Sequence, residues 1–264
     1  LKVKGKKVST FNLFPSYLQP SGQFIIASMN ISFQIETFDS LPSTQDEMRS
    51  RLGRGENVHG LVIRALEQTA GRGQRARDWL SNRGGSYQTL AVRDEGSRLN
   101  KPYAAVLIAI GLAQVLPEYG IQVGIKWPND LHYPYKIKQG KKVSGILCEV
   151  VQQHLLVGIG VNVNNDIPED ATALRGLDVE GVSNFVLAGV QRGLELLQTE
   201  IDLPTLFAPY DVLKDKNVSV LIDGHEEKGV ARGLHVNGCL LVAINNTLKQ
   251  ICQGAARVRL LDST

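Results

Sequence analysis

Residues 67–79, EQTAGRGQRARDW, bring Gly71, Gly73, Arg72, Arg75, Arg77 and Trp79 into one short stretch. Glycines let backbone N–H groups come close to an anion, guanidinium groups add charge-assisted, fork-shaped hydrogen bonds, and an indole offers a flat face for stacking. Such a loop suits a phosphate or an acyl phosphate. The bland alternative is a solvated Gly-Arg loop from which Trp79 returns to the core. GRGQRA also fits the G-x-G-x-x-A dinucleotide fingerprint, which requires a helix directly after it. Ser81-Asn82-Arg83-Gly84-Gly85 breaks the chain too soon for that, and no G-x-x-x-x-G-K-[ST] phosphate loop is present.

Further along, IKWPNDL at residues 125–131 places Asn129 and Asp130 on a rigid turn after Pro128, with the cation of Lys126 two residues before that proline. KVSGIL follows, with Lys142 ahead of a strand whose Gly145 leaves room for a ligand, and then GIGVNVN with Gly158, Gly160 and Asn162. Each of these segments, taken alone, also reads as ordinary structure.

The elements that must position these residues read as a mixture of strands and helices. ISFQIETF alternates, with Ile31, Phe33, Ile35 and Thr37 on one face; GLVIRALEQ, SYQTLAVR, IQVGIKW, KVSGILCEVV and HLLVGIGVNVN are further strand candidates, the last two separated by Gln152-Gln153. SLPSTQDEMRSRL predicts a helix capped by Ser43 or Thr44, with Asp46 and Glu47 in its first turn. KPYAAVLIAIGLAQVLPEYG predicts an apolar helix bounded by Pro102 and Gly120, and a second long helix is expected from Ser183 to Glu200. Leu203 to Pro209 reads as a connection. Beyond it, NVSVLID, KGVARGLHV, CLLVAIN and LKQICQG are short strands set off by Asp223-Gly224, Asn237-Gly238 and Asn245-Asn246, which predicts a small β-barrel. The expected division is a disordered leader over 1–28, a catalytic domain over 29–208 and a barrel domain over 209–264. A natural start near Met29 is part of that expectation.

Composition narrows the classes. At 264 residues, with 43% hydrophobic and 21% charged side chains, the chain should build a real core. No apolar run is long enough for a spanning helix and no secretory segment opens the sequence, so the cytosol is the default compartment. A net charge of +3 permits anionic ligands without announcing a nucleic-acid binder. The five histidines fall in no HExxH or HxxxH pattern, which argues against a protein-built zinc site, and the metal ligands stay unknown. Cys148, Cys239 and Cys252, in apolar contexts without CxxC spacing, are expected to be buried free thiols.

In this order, GRG, KWPND, K-x-x-G-I-L and G-x-G-x-N closely resemble the biotin protein ligases, from about Ser40 to the end of the chain. The resemblance implies an α/β (α+β) fold: a mixed-sheet, class II synthetase-like catalytic domain followed by a small SH3-like barrel. It implies activation of biotin by ATP, with Mg²⁺, to biotinyl-5′-AMP, and transfer to one lysine of the biotin carboxyl carrier protein of acetyl-CoA carboxylase. The nucleophile then belongs to that partner, so no Ser-His-Asp or Cys-His site is required of this chain.

By the same resemblance, Ser43, Thr44, Gln45 and Gln68 meet the biotin rings, and Gly145 and Gly158 form the wall beside them. Gly71, Arg72, Gly73 and Gln74 wrap the carboxylate and the adenylate phosphate, which Lys142 also contacts; Arg72 and Lys142 carry the chemistry. Trp79 covers the adenine, Asn129 and Asn162 contact adenine or ribose, and Arg75, Arg77, Lys126 and Asp130 attend the phosphates of ATP. The chain departs from the common GRGRRGR loop at Gln74 and Ala76, which predicts looser retention of the adenylate. Lipoate and octanoate transferases are the nearest rival, but their loop usually carries a histidine that this one lacks. The biotin-operon repressor type carries a DNA-binding helix-turn-helix, and no two-helix pattern precedes the first ligase strand here, so DNA is not expected as a partner. A non-enzymatic module, with the barrel holding RNA or a peptide, would leave the ordered motifs without a purpose. No membrane contact is expected, and both a monomer and a homodimer are open.

Overall fold

The computed structural model describes residues 6–11, 31–133, 140–222, 224–253 and 256–261. Two sheets and four α-helices account for most of it. The larger sheet has eight strands in the order β1-β2-β3-β4-β8-β7-β6-β5. These are β1 (Lys7–Phe11), β2 (Phe33–Phe38), β3 (Leu61–Ala65), β4 (Ser86–Arg93), β5 (Gly124–Lys126), β6 (Asp130–His132), β7 (Lys142–Val151) and β8 (His154–Val161). Only β2 and β3 run parallel; every other neighbouring pair is antiparallel.

The sheet is covered on both faces. Helices α2 (Ala104–Val115) and α3 (Val179–Leu197) pack on one face over a large apolar core that includes Leu90, Val157 and Ile159. Gly111 of α2 lies directly against Gly189 and Gly193 of α3, so a side chain at Gly111 would collide with backbone. Helix α1 (Thr44–Gly53) covers part of the other face, burying Met48 and Leu52 against Ile63, Ala91 and Leu156. Because strand side chains alternate, Thr89 of β4, Gly158 and Gly160 of β8 and Gly145 of β7 all belong to the α1 side. That alternation builds the floor of the site.

The start of α1 is as the sequence predicts: Ser43 is its N-cap, accepting the Asp46 N–H at 3.3 Å, and Asp46 and Glu47 sit in the first turn. The Gln152-Gln153 turn also holds, with both residues at positive φ. Other expectations are corrected. The second long helix is Val179–Leu197, capped by Asp178, one turn earlier than expected. The segment after it is helical rather than a plain connection: α4 spans Leu203–Phe207. Within the expected leader, Lys7–Phe11 forms an edge strand paired antiparallel with β2, and Lys6 bonds Glu36 at 2.7 Å. The remainder of 1–28 that the expectation covers lies outside the described residues.

The second sheet has five antiparallel strands in the order β12-β11-β10-β9-β13: β9 (Asn217–Ile222), β10 (His225–Leu234), β11 (Leu240–Ile244), β12 (Thr247–Ile251) and β13 (Ala256–Leu260). Among the described residues no pairing joins β12 to β13, so the sheet is open where a closed barrel was expected. It docks on the large sheet through Trp127, whose indole N–H donates to the Gly238 carbonyl at 2.9 Å. The cysteine expectation fails for two of the three residues. Cys239 and Cys252 flank the paired residues Leu240 and Ile251 and are joined by a disulfide. Cys148 is free, and burial, helped by Glu149, pushes its thiol up to about 12.

Candidate functional site

The Gly-Arg loop crosses the α1 face of the sheet. The Gly73 N–H donates to the Arg77 carbonyl at 2.7 Å and the Trp79 N–H to the Gly71 carbonyl at 2.8 Å, closing a tight excursion. It holds one short 3₁₀ turn, Gln74–Ala76, instead of the helix a dinucleotide fold would need, and Arg75 takes a left-handed backbone at φ 58°. Gly71 is buried where a Cβ would strike Ser81 and the Trp79 carbonyl.

Below this loop lies a cavity of about 50 Å³. From the start of α1 come Ser43, Thr44 and Gln45, and from the segment after β3 Gln68; from the loop, Arg72, Gly73, Gln74 and Trp79; from the turn between β5 and β6 Asn129, and from β7 and β8 Lys142, Gly145 and Gly158. Gly71, Arg75, Arg77, Lys126, Asp130 and Asn162 do not line it. A larger cleft of about 370 Å³, lined by Asn57, His59, Arg93, Asp94, Glu95, Arg98, Leu99 and Gln198, contains none of the residues singled out from the sequence. Volume therefore does not locate the chemistry here; converging polar groups do.

The polar end of the cavity is a connected network. Thr44 N–H donates to Gln68 Oε1 at 2.8 Å, Gln68 Nε2 donates to Ser81 Oγ at 2.8 Å, and Ser81 Oγ donates to the Trp79 carbonyl at 2.9 Å. The Thr44 and Thr89 hydroxyls lie 2.9 Å apart, and Thr89 donates to Gln45 Oε1 at 3.1 Å. Fixed donors and acceptors of this kind suit a neutral, hydrogen-bonding ring system.

The charged end holds two cations. Arg72 is paired with Asp46, and that hydrogen bond raises its pKa. Lys142 Nζ lies 2.7 Å from Asp130 and 4.9 Å from the centre of the Trp79 ring. Both pairs are part exposed, so the ion pairing is weak and a phosphate can displace either carboxylate at little cost. Lys126 sits behind them; burial lowers its pKa, with Asp130 acting the other way. Trp79 rests on the glycine floor: a Cβ at Gly145 would come within 2.8 Å of its ring, and one at Gly160 would collide with its Nε1.

Two of the sequence's candidates are committed to the scaffold. Asn129 Nδ2 donates to the Ile146 carbonyl at 2.7 Å, and Asn162 Oδ1 accepts from Asn165 at 3.1 Å within the loop that follows β8. The sequence reading gave no role to Thr89 and Gly160, which line the cavity, or to Asp46, Arg49 and Glu149 beside it. Gly160 stood in the GIGVNVN motif, and period-two alternation from Gly158 puts it on the same face; Glu149 is visible only once α1 is placed on the sheet.

The family described as the Biotin/lipoate A/B protein ligase family matches residues 37–166. The chain is 31% identical over 234 residues to the Bifunctional ligase/repressor BirA of Bacillus subtilis, covering 81% of this chain and 70% of that protein. It is 28% identical over 241 residues to the biotin–(acetyl-CoA-carboxylase) ligase of Mycobacterium tuberculosis, covering 84% and 87%. The solved structure of the biotin protein ligase from Aquifex aeolicus in complex with biotin and ATP superposes with a TM-score of 0.71 at 27% identity, covering 86% of this chain and 99% of that one. With the Gly-Arg loop, Asn129 of the KWPND turn and the glycine floor around one cavity, and with this similarity running over most of its length, the chain belongs to the biotin protein ligases of the biotin/lipoate A/B family.

Proposed function

We propose that this protein is an ATP-dependent biotin ligase working at the cavity between α1, the Gly-Arg loop and the glycine floor. In the first step a biotin carboxylate oxygen attacks the α-phosphorus of ATP; the bond to the β-phosphate oxygen breaks and pyrophosphate leaves. In the second, the uncharged ε-amine of an acceptor lysine attacks the acyl carbon of biotinyl-5′-AMP. AMP departs with the bonding pair, and the amine loses a proton to leave an amide. The carrying observation is that one cavity joins a neutral hydrogen-bonding end to a cationic end holding Arg72 and Lys142.

The first step brings two anions together, so its barrier falls with positioning and with positive charge fixed where negative charge gathers. Arg72 and Lys142 take that role, exchanging Asp46 and Asp130 for the substrate carboxylate and phosphate. Ser43, Thr44, Gln45 and Gln68 hold the biotin rings above Gly145 and Gly158, with Gly71, Gly73 and Gln74 shaping the loop around the anion. Trp79 moves from its seat on Gly145 and Gly160 to cover adenine, Arg75 and Arg77 serve the nucleotide from the loop, Lys126 adds charge from behind Asp130, and Asn129 and Asn162 meet it only with the amide ends their bonds to Ile146 and Asn165 leave over. Mg²⁺ arrives with ATP as part of the substrate. Asp130, paired with Lys142 at 2.7 Å, is the carboxylate at hand for it.

The acceptor in this reading is the biotin carboxyl carrier protein of acetyl-CoA carboxylase. The second sheet, as an SH3-like domain over 209–264 beside the catalytic unit over 29–208, assists ATP and acceptor engagement. Its docking on Trp127, two residues before Asn129, supports that assignment. No helix of the described residues is long and apolar enough to cross a membrane; a cytosolic site follows from where ATP and the carrier meet. DNA is not among the partners this reading assigns, and it holds for a monomer or a homodimer. The test is transfer of labelled biotin to a carrier domain with MgATP, beside a lipoate lane. Label on the carrier that needs ATP and disappears in Arg72→Ala, Lys142→Ala protein supports the reading; label only in the lipoate lane overturns it.

A further inference from the structure

An amide side chain has two ends of nearly equal shape, one donor and one acceptor, and the end that faces a ligand decides what the site can recognise. For Gln45 the choice is made by its surroundings. Its Nε2 donates to Glu149 Oε2 at 2.8 Å, while its Oε1 accepts from Thr89 and lies where a Cβ on Gly158 would come within 2.6 Å. Glu149, on β7, is gripped in turn by Arg49 of α1, with Nε 3.1 Å from Oε2 and Nη2 2.6 Å from Oε1. An ionised carboxylate only accepts hydrogen bonds, so it admits the nitrogen of Gln45 and refuses the oxygen. Burial works to raise the Glu149 pKa, but hydrogen bonds from Arg49 and Gln45, with the charges of Arg49 and Arg72, hold it below the ordinary carboxylate value. It therefore stays an acceptor throughout the neutral range.

We propose that Glu149, clamped by Arg49, is a positioning residue for the biotin end of the cavity: by taking the Gln45 amide nitrogen it turns the Gln45 carbonyl toward the Gly158 floor, where it meets a ring N–H of the substrate. The inference rests on the ligase reading of this cavity. Glu149 itself touches no substrate and acts only through Gln45. Replacing it with glutamine keeps the shape and removes the rule, because a glutamine can donate as well as accept and the Gln45 amide then turns either way.

The test is steady-state ATP–pyrophosphate exchange in wild type, Glu149→Gln, Gln45→Ala and the double variant, with biotin and ATP varied separately. Glu149→Gln should raise the KM for biotin about tenfold, with the KM for ATP changed by less than about twofold. In the Gln45→Ala background the same change should add less than about twofold, since the residue through which it acts is gone. A biotin KM unchanged by Glu149→Gln, an equal rise for ATP, or an undiminished effect beside Gln45→Ala overturns the inference. Should Glu149→Gln fail to fold, Arg49→Met leaves the carboxylate but removes its clamp; a rise confined to the biotin KM supports the role, and no rise overturns it. A wild-type protein that does not turn over biotin refutes the ligase reading itself and this inference with it.

Discussion

Adding one methyl group, Gly158→Ala, separates the two ends of the cavity. Gly158 sits mid-strand, paired with Thr89 and Leu147, without a positive φ. Alanine can therefore adopt its backbone, and the strand itself gains about 0.5–1 kcal/mol. The cost arises in front of the strand, because the new Cβ comes within 2.6 Å of Gln45 Oε1 and 3.5 Å of Thr89 Oγ1. Gln45 must yield, straining a neutral bond from Thr89 worth ~1 kcal/mol and a bond to the Glu149 carboxylate worth ~1.5–3 kcal/mol. Set against the strand gain, even complete loss of both bonds limits the fall in global stability to about 3.5 kcal/mol, which urea unfolding would measure. Losing the aim of the amide removes ~2 kcal/mol of biotin recognition, or about a 30-fold rise in the biotin KM measured by ATP–pyrophosphate exchange. The KM for ATP should stay within about twofold, because the nearest neighbours of the new methyl belong to Gln45 and Thr89 and not to Trp79 or Lys142. A folded variant with an unchanged biotin KM, or with equal rises for both substrates, would refute the assignment of this wall to biotin.

Other perturbations probe different parts of the account. Lys142→Ala should slow adenylate formation by about a hundredfold or more, as loss of one preorganised charge donor does, yet shift stability by less than about 0.5 kcal/mol because its pair with Asp130 is part exposed; single-turnover kinetics and a thermal melt read the two effects. Gln74→Arg should restore a full positive charge at the cavity and slow release of biotinyl-5′-AMP, which a dissociation-rate measurement checks. Reducing Cys239–Cys252, which closes a loop of sequence separation 13, should cost ~3 kcal/mol of stability. Thiol titration of unfolded protein should find Cys148 alone before reduction and all three cysteines after it. Asp211, whose Oδ1 accepts the Leu213 N–H at 2.8 Å, is raised by burial from 3.8 to about 6. The folded state then holds that proton more tightly than the unfolded one, so its contribution is fully present below pH 3.8 and is lost as pH rises through about 6. Asp211→Asn should flatten that fall in a pH series of urea melts.

The sequence made the catalytic sheet readable where local rules agree. SYQTLAVR is β4 to the residue, a run buried on both faces of the sheet and set off by flanking Gly85 and Asp94. Ser43 caps α1 as its neighbours Asp46 and Glu47 announce. Twelve predicted site residues converge on one cavity because the start of α1, the Gly-Arg loop, the turn at Asn129 and the glycines of the neighbouring strands β7 and β8 share one face of the sheet. What escaped depends on distance along the chain. β1 is an edge strand stabilised by β2 and by the Lys6–Glu36 pair rather than by its own pattern. β13 has only ARVRL to declare itself and forms by pairing with β9. The disulfide was missed although the Asn245-Asn246 turn was read, because bringing the two thiols together depends on the register that sets Leu240 opposite Ile251. Glu149 read as one acidic residue in an apolar strand; its partners Gln45 and Arg49 lie about a hundred residues earlier, on a helix that only the folded sheet brings to it.

The most direct test of the central claim, that this cavity joins a biotin carboxylate to the α-phosphate of ATP, is exchange of labelled pyrophosphate into ATP by the purified protein with no acceptor present. Exchange should require biotin, find no support from lipoate, and collapse in Arg72→Ala and in Lys142→Ala. Exchange that proceeds equally without biotin, or that survives both substitutions, would contradict it.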